Sequence, residues 1–429
     1  MAASAPILQP LRGRDFRLLW SGTAASLVGD GIFLVALAWE AYSLENTPTA
    51  LAIVGLAMTL PQVGFLLVGG VVSDRLDRRL VLMAADSVRA LTLATFGGLA
   101  LAGALTLPII IGLACVYGVA TAFYGPAFDA LVPSLVPEEL LAQANSLDQL
   151  VRPVAARLLG PALGGAVIAA AGPSLAFVLD AATFAASVVS VKLIAAPQST
   201  TAAPGDEGSF LSQCGSGFRL IKSQVWLWGT FLSATFAYLL FVGPSEVLLP
   251  FLVKNELHAS ARTLGIVLAV GGAGAVLAAL VMSHSPFPRR HMTFIYATWT
   301  VATLAVAGYG IATRAWQLAL ACFVFNALEA AGTIVWITAK QRLVPPSYLG
   351  RVSSVDWFVS IGLLPLSYAL TAPVAAAIGE RTTLVGAGAV GACVTLAFLF
   401  LPGMRRHEGV LAAPRSGSTL PLASFPAET

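Results

Sequence analysis

Residues 50–102 read ALAIVGLAMTLPQVGFLLVGGVVSDRLDRRLVLMAADSVRALTLATFGGLALA. The stretch GVVSDRLDRR, Gly70–Arg79, is a short charged loop wedged between two apolar runs, Ala50–Val72 and Leu80–Ala102. Each run is long enough to cross a bilayer as a helix. A loop this short that carries Arg75, Arg78 and Arg79 is expected on the cytoplasmic side.

The rest of the chain repeats that alternation. Of 429 residues, 57% are hydrophobic and 10% charged, whereas soluble domains carry roughly 25% charged residues. About a dozen blocks of spanning length begin near Phe16, Thr49, Leu80, Leu107, Leu147, Pro173, Val225, Thr263, Thr293, Trp316, Val355 and Thr382. At this length only helices satisfy their own backbone groups in lipid. The expected fold class is therefore an all-α integral membrane protein with 12 transmembrane helices. The net charge of +3 is too small and too scattered to suggest nucleic-acid binding. Cys115, Cys214, Cys322 and Cys393 lie far apart with no metal spacing, and no metal or other cofactor is expected. Met1–Arg14 is a basic arm before a span too long for a cleaved signal.

Charge distribution orients the spans. Of 24 Lys and Arg, only Lys254, Arg262, Arg314 and Arg381 fall in the alternate set of loops. That asymmetry predicts a multi-pass protein of the cell membrane with both termini cytoplasmic. The Ser-, Pro- and Gly-rich segment Ala195–Ser223 divides the spans six and six. The expected organisation is an N-terminal half at 1–195, a cytoplasmic linker at 196–223, a C-terminal half at 224–402 and a disordered cytoplasmic tail at 403–429. An internal repeat agrees: Leu135–Ser146 after the fourth span aligns with Leu343–Ser354 after the tenth, sharing Leu-Val-Pro.

The loop resembles the signature between helices 2 and 3 of the major facilitator superfamily. Gly70, Asp74, Arg75, Arg78 and Arg79 match that pattern, and Asp77 replaces its second Gly. The resemblance implies a latch on the cytoplasmic side, with Asp74 near the start of the eleventh span, at Ser353 and Ser354. Asp129, at the end of the fourth span, is a candidate partner for Arg75 or Arg78. In the fifth span, Gly160-Pro161-Ala162-Leu163-Gly164-Gly165 resembles the antiporter motif of drug exporters, with Ala156 in place of its first Gly. By itself, Gly160 and Gly164 make a GxxxG packing step, and Pro161 is expected to kink the span. With Phe16–Trp20 and Leu27–Phe33 in the first span, the likeness is to the drug:proton antiporter branch that contains macrolide and siderophore exporters.

Charged residues inside spans are costly and mark pathways or paired sites. Asp30, mid-way along the first span, is a candidate for proton exchange or substrate binding, against a structural hydrogen bond. Glu329 in the tenth span reads the same way. Glu40 and Glu246 lie nearer the outer face. Arg157, one turn before Gly160, needs a carboxylate, and Asp30 is a plausible one. Asp148–Arg152 and Asp86–Arg89 are spaced to pair along one helix, and Asp180 has no evident partner. The fourth span carries no Arg; Tyr117, Thr121 and Tyr124 are its polar groups. Phe33, Trp39, Phe123, Tyr124, Tyr238, Phe241, Trp336 and Trp357 are aromatic candidates for a cavity lining.

No P-loop, HExxH or GxSxG is present, and Gly386–Gly391 spells GxGxxG inside an apolar span with no strand before it. An enzyme is not expected. The sequence points to a secondary transporter exporting a drug, macrolide or siderophore by alternating access, as a monomer in the lipid bilayer, in exchange for protons. A metabolite importer on the same fold is the alternative, and a non-transporting receptor a more distant one.

Overall fold

A computed structural model describes residues 6–195, 219–344, 352, 355–356 and 358–408. Among them, twelve helices are long and apolar enough to cross a membrane. In chain order these are α1 (Arg14–Leu44), α2 (Pro48–Arg75), α3 (Arg78–Leu101) and α4 (Leu107–Leu135). α5 is composite, with α-helical Leu141–Arg152, a π-helical Pro153–Leu159 and α-helical Gly160–Ala171. α6 is Pro173–Lys192, and α7 is Val225–Phe251 with a π turn at Leu252–Glu256. α8 (Ala261–His284), α9 (His291–Ile311), α10 (Ala315–Leu343), α11 (Phe358–Ile378) and α12 (Glu380–Leu399) complete the set.

Six helices precede the undescribed stretch 196–218 and six follow it. The packing of the first set repeats in the second. α2 lies on α4 as α8 lies on α10, α3 on α6 as α9 on α12, and α1 on α5 as α7 on α11. The crossings between the two sets are equivalent in turn, α2 against α11 and α8 against α5. The outward surface is apolar: Leu60, Leu91, Leu101 and Ile311 are all more than half exposed. Leucines so placed belong in hydrocarbon rather than water.

A polar cap starts α3 after the turn from α2. Asp77, at the position where the signature expects Gly, is the N-cap of α3, and its carboxylate accepts from the Arg79 backbone N–H at 2.9 Å. An Asp there satisfies an otherwise orphaned donor. Arg78 donates to the Ala130 carbonyl at 2.9 Å and Arg79 to the Lys192 carbonyl at 3.3 Å. The loop's arginines thus tie the start of α3 to the ends of α4 and α6. Arg78 therefore meets the backbone beside Asp129 rather than its carboxylate, and Asp129 itself is exposed. The carboxylate of Asp74, Ser353 and Ser354 lie outside the described residues, as does the side chain of Trp357.

The residues after α12 fold back. Met404 is buried against Gly229 of α7, and the Glu408 carboxylate accepts from the Thr293 N–H at the start of α9 at 2.6 Å. The first residues of the stretch expected to be a free tail are therefore packed; 409–429 lie outside the described residues.

Candidate functional site

The site grows out of α5. Pro161 offers no N–H to the carbonyl four residues back, that of Arg157, and the helix widens into π geometry from Pro153 to Leu159. The irregularity expected at Pro161 is thus spread over the preceding turns. The Arg157 carbonyl faces α8 at Gly272, where a Cβ would overlap it. Such π segments gather at functional positions, and this one carries Arg157.

Arg157 does not meet Asp30. Its guanidinium reaches across to α10, 3.5 Å from the Glu329 carboxylate and 3.4 Å from the Asn326 amide oxygen. Asp30 instead accepts from Tyr117 of α4, and the carboxylate that Arg157 needs comes from the other set of helices. Glu329 also accepts from the Thr333 hydroxyl at 3.1 Å. The Arg157 side chain is 53% exposed although it lies mid-way along its span. It therefore opens into the cleft between the two sets of helices.

Beside Glu329, a cavity of about 40 Å³ is lined by Tyr238, Phe241, Trp299, Thr303 and Phe325. Tyr238, Phe241 and Phe325 form a continuous aromatic wall, with ring centroids 5.7 and 5.4 Å apart. Other aromatics expected to line a cavity do not. Phe33 packs in the core against Phe96, Tyr117 and Phe177, and Trp336 packs against Trp226 and Phe231. Tyr124 bonds Thr23 at 3.1 Å and lies under the Arg89 guanidinium. An amphipathic period does not distinguish the two fates, since both faces of a span are apolar.

The antiporter-like string faces two ways. A Cβ at Gly160 would come within 2.6 Å of the Gly31 Cα, and one at Gly164 within 3.0 Å of the Ile32 Cα, so these glycines seat α5 on α1 beside Asp30. Gly165 faces α8, where a Cβ would lie 2.9 Å from the Ala261 carbonyl and 3.0 Å from the Gly265 Cα. Nothing larger than glycine allows so close a crossing.

At the end opposite the termini the two sets are closed. The Tyr42 hydroxyl donates to the Val247 carbonyl at 2.6 Å, Asn46 bonds Asn255, and Lys254 donates to the Tyr42 carbonyl and reaches Ser43 at 3.3 Å. Lys254 also lies 5.4 Å from the Trp39 ring, with half-buried Glu40 nearby. Further in, Glu246 of α7 accepts from Tyr368 of α11, whose ring packs on Gly55 of α2. These contacts between the first six and last six helices lie at that end or toward mid-depth. At the end that holds the termini, Gly70 and Arg75 face open space or solvent.

Asp30, within α1, accepts from the Tyr117 hydroxyl of α4 at 2.5 Å. Next to it, Asp86 and Arg89 form a buried ion pair, with Ser187 donating to Asp86 at 2.6 Å. Arg152 pairs with Asp148 at 2.7 Å. Lys340 pairs with Asp356 at 2.6 Å, linking α10 to the start of the eleventh span. Arg89 of α3, paired with Asp86, places a positive charge against the α4 face, with its guanidinium 4.3 Å from the Tyr124 ring centroid. Among the described residues no three His, Cys, Asp or Glu side chains converge as a metal site.

Comparison with known proteins agrees with this architecture. A family profile described as transmembrane secretion effector, of the major facilitator superfamily, matches residues 5–419. Macrolide efflux protein A of Streptococcus pyogenes is 20% identical over 92% of this chain and 97% of its own length. The enterobactin exporter EntS of Citrobacter koseri is 27% identical over 79% of this chain and 80% of its own. The crystal structure of the nucleoside transporter NupG superposes with a TM-score of 0.67 at 13% identity, covering 91% of this chain and 99% of that one. At that identity the likeness is one of fold.

Proposed function

Because this chain belongs to the transmembrane secretion effector family of the major facilitator superfamily, we propose that it exports amphipathic small molecules by alternating access, exchanging them for protons. The observation that carries this reading is the Arg157–Glu329 pair. It spans the two sets of helices at mid-depth, opens into the cleft, and borders an aromatic wall suited to apolar substrate groups. Partners of a contact between the sets separate when the cleft changes the side it faces. Substrate and proton then have different affinities in the two states, which is what coupling requires.

The efflux relatives support the outward direction and a substrate resembling a macrolide or siderophore. The distribution of Lys and Arg supports both termini lying in the cytoplasm, which puts the closed end of the described state on the outer face. Asp30, held by Tyr117 beside Gly31, is the coupling carboxylate in this reading, with Glu329 as the group that proton and substrate compete for. Glu40 and Glu246 act at the outer closure. The unit is one chain of two six-helix halves, without a cofactor.

The test is substrate-induced proton movement in inside-out vesicles, screened over macrolides, siderophores and amphipathic drugs. Asp30→Asn is measured alongside. Dissipation of the proton gradient by a compound, abolished in Asp30→Asn, supports the reading. Accumulation of compounds with no proton movement leaves export standing and removes proton coupling.

A further inference from the structure

Asp180 of α6 is a fully buried carboxylate that the cleft does not use. The Thr183 hydroxyl, which donates to the Asp180 carbonyl at 2.7 Å, lies 3.1 Å from its Oδ1. Its Oδ2, equally buried, has no hydrogen-bond partner. The carboxylate is pressed against the backbone of α1 at Gly29, where a Cβ would overlap Asp180 Oδ1 and Thr183 Oγ1. Gly29 is adjacent in sequence to Asp30. The charged groups bearing most on Asp180 are Asp30 and Arg89.

The charges facing this spot come from every element packed around it. α1 supplies Asp30, α3 supplies Asp86 and Arg89, α4 supplies Tyr117 and Tyr124, and α6 supplies Asp180. Arg152 of α5 lies farther off and is already paired with Asp148. Arg89 is directed at Asp86, which Ser187 also satisfies. Three buried or half-buried carboxylates thus face one guanidinium, and that guanidinium is already matched. An unmatched carboxylate in such a place costs several kcal/mol. A carboxylic acid does not carry that cost, and its O–H becomes a donor in search of an acceptor.

We propose that Asp180 carries a proton, so that this carboxylate, packed on Gly29 of α1 beside the Asp86–Arg89 pair, is a proton-binding site within the first six helices. The site is separate from the Arg157–Glu329 cleft. The proposal extends the proton-coupled reading by giving the proton a second carboxylate, out of reach of substrate. Among the described residues no three His, Cys, Asp or Glu side chains are placed to hold a metal ion together, and the single orphaned oxygen, Asp180 Oδ2, suits a proton.

The test is infrared spectroscopy of the full chain in liposomes, with the aspartate side-chain carboxyl carbon labelled with ¹³C. At neutral pH the wild type is expected to show the carbonyl stretch of a neutral aspartic acid, shifted by the label and by D₂O. That band is expected to be lost in Asp180→Asn and retained in Asp86→Asn. Absence of any neutral aspartic acid band in the wild type overturns the proposal, and needs no variant to fold. Persistence of the band in Asp180→Asn also overturns it, as does its disappearance on replacing potassium by sodium, which would mark a cation site. None of these readouts requires transport, so export can fail in vesicles while this site stands, and the converse.

Discussion

The guanidinium of Arg157 and the carboxylate of Glu329 stand 3.5 Å apart on opposite sides of the cleft, one on a π segment of α5 and the other mid-way along α10. The pair is half-open to the cleft, so its strength as a fold contact is small. Exposed ion pairs contribute about 0–1 kcal/mol. Glu329→Gln is therefore expected to leave thermal unfolding in detergent almost unchanged. Transport should fall by about tenfold or more, the scale of a coupling energy of 1–3 kcal/mol. A variant equally impaired in folding and transport would remove the functional assignment.

The buried pair behaves in the opposite way. Arg89 is 4% exposed, and Asp86 is fully buried. Arg89→Gln leaves Asp86 uncompensated and is expected to cost about 3–5 kcal/mol. Asp86→Asn together with Arg89→Gln should recover most of that loss. Thermal inactivation of the two variants beside the wild type checks the order.

The glycine crossings predict a steric series. Gly160→Ala places a methyl within 2.6 Å of the Gly31 Cα, an overpacking expected to cost about 1–3 kcal/mol. Gly70→Ala meets nothing within 4 Å and should lie within about 0.5 kcal/mol of the wild type. Equal effects at the two positions would mean that the α1–α5 contact is looser than described.

At the closed end, Lys254 holds the Tyr42 carbonyl and Tyr42 holds the Val247 carbonyl. A hydrogen bond from a charged donor contributes about 1.5–3 kcal/mol. Lys254→Met should therefore shift the balance toward the state open at that end by about tenfold or more. Cysteines replacing Asn46 and Asn255, joined by a short bifunctional maleimide, should hold the described state and stop transport. Spin-label distances across that end report the first effect, and uptake before and after cross-linking reports the second.

Asp77 gives a smaller and sharper prediction. Asp77→Ala removes the cap on the Arg79 N–H and should cost about 1 kcal/mol, whereas Asp77→Gly, which restores the superfamily pattern, should cost only about a few tenths. Melting curves of the two variants measured together decide it.

The twelve spans were legible in the sequence because apolar length is a local property. Starts expected at Val225, Leu107 and Pro173 coincide with the observed helices, and others differ by a few residues. The pairs Asp86–Arg89 and Asp148–Arg152 were equally legible, being three and four apart on one helix. Arg157 was not, because its partner lies in a different set of helices, and only the crossing of α5 with α8 brings α10 within reach. Asp180 was silent for the same reason. Its environment is made by Gly29, and a glycine that leaves room for a distant carboxylate looks in sequence like any other packing residue. The π segment had a signal in Pro153 and Pro161, eight residues apart, which reads as two separate kinks until the helix between them is seen.

The closure at one end has an electrical consequence. Gly165, Gly265 and the Tyr42–Val247 contact bring the two sets of helices together at the end opposite the termini. A membrane voltage then falls mainly across the sealed layer rather than evenly along the helices. In the alternating-access reading proposed above, a change of the sealed side would carry charge bound at the Arg157–Glu329 pair across most of that drop without moving it through the bilayer. Each unit of charge so carried would exchange about 2.3 kcal/mol with the field per 100 mV.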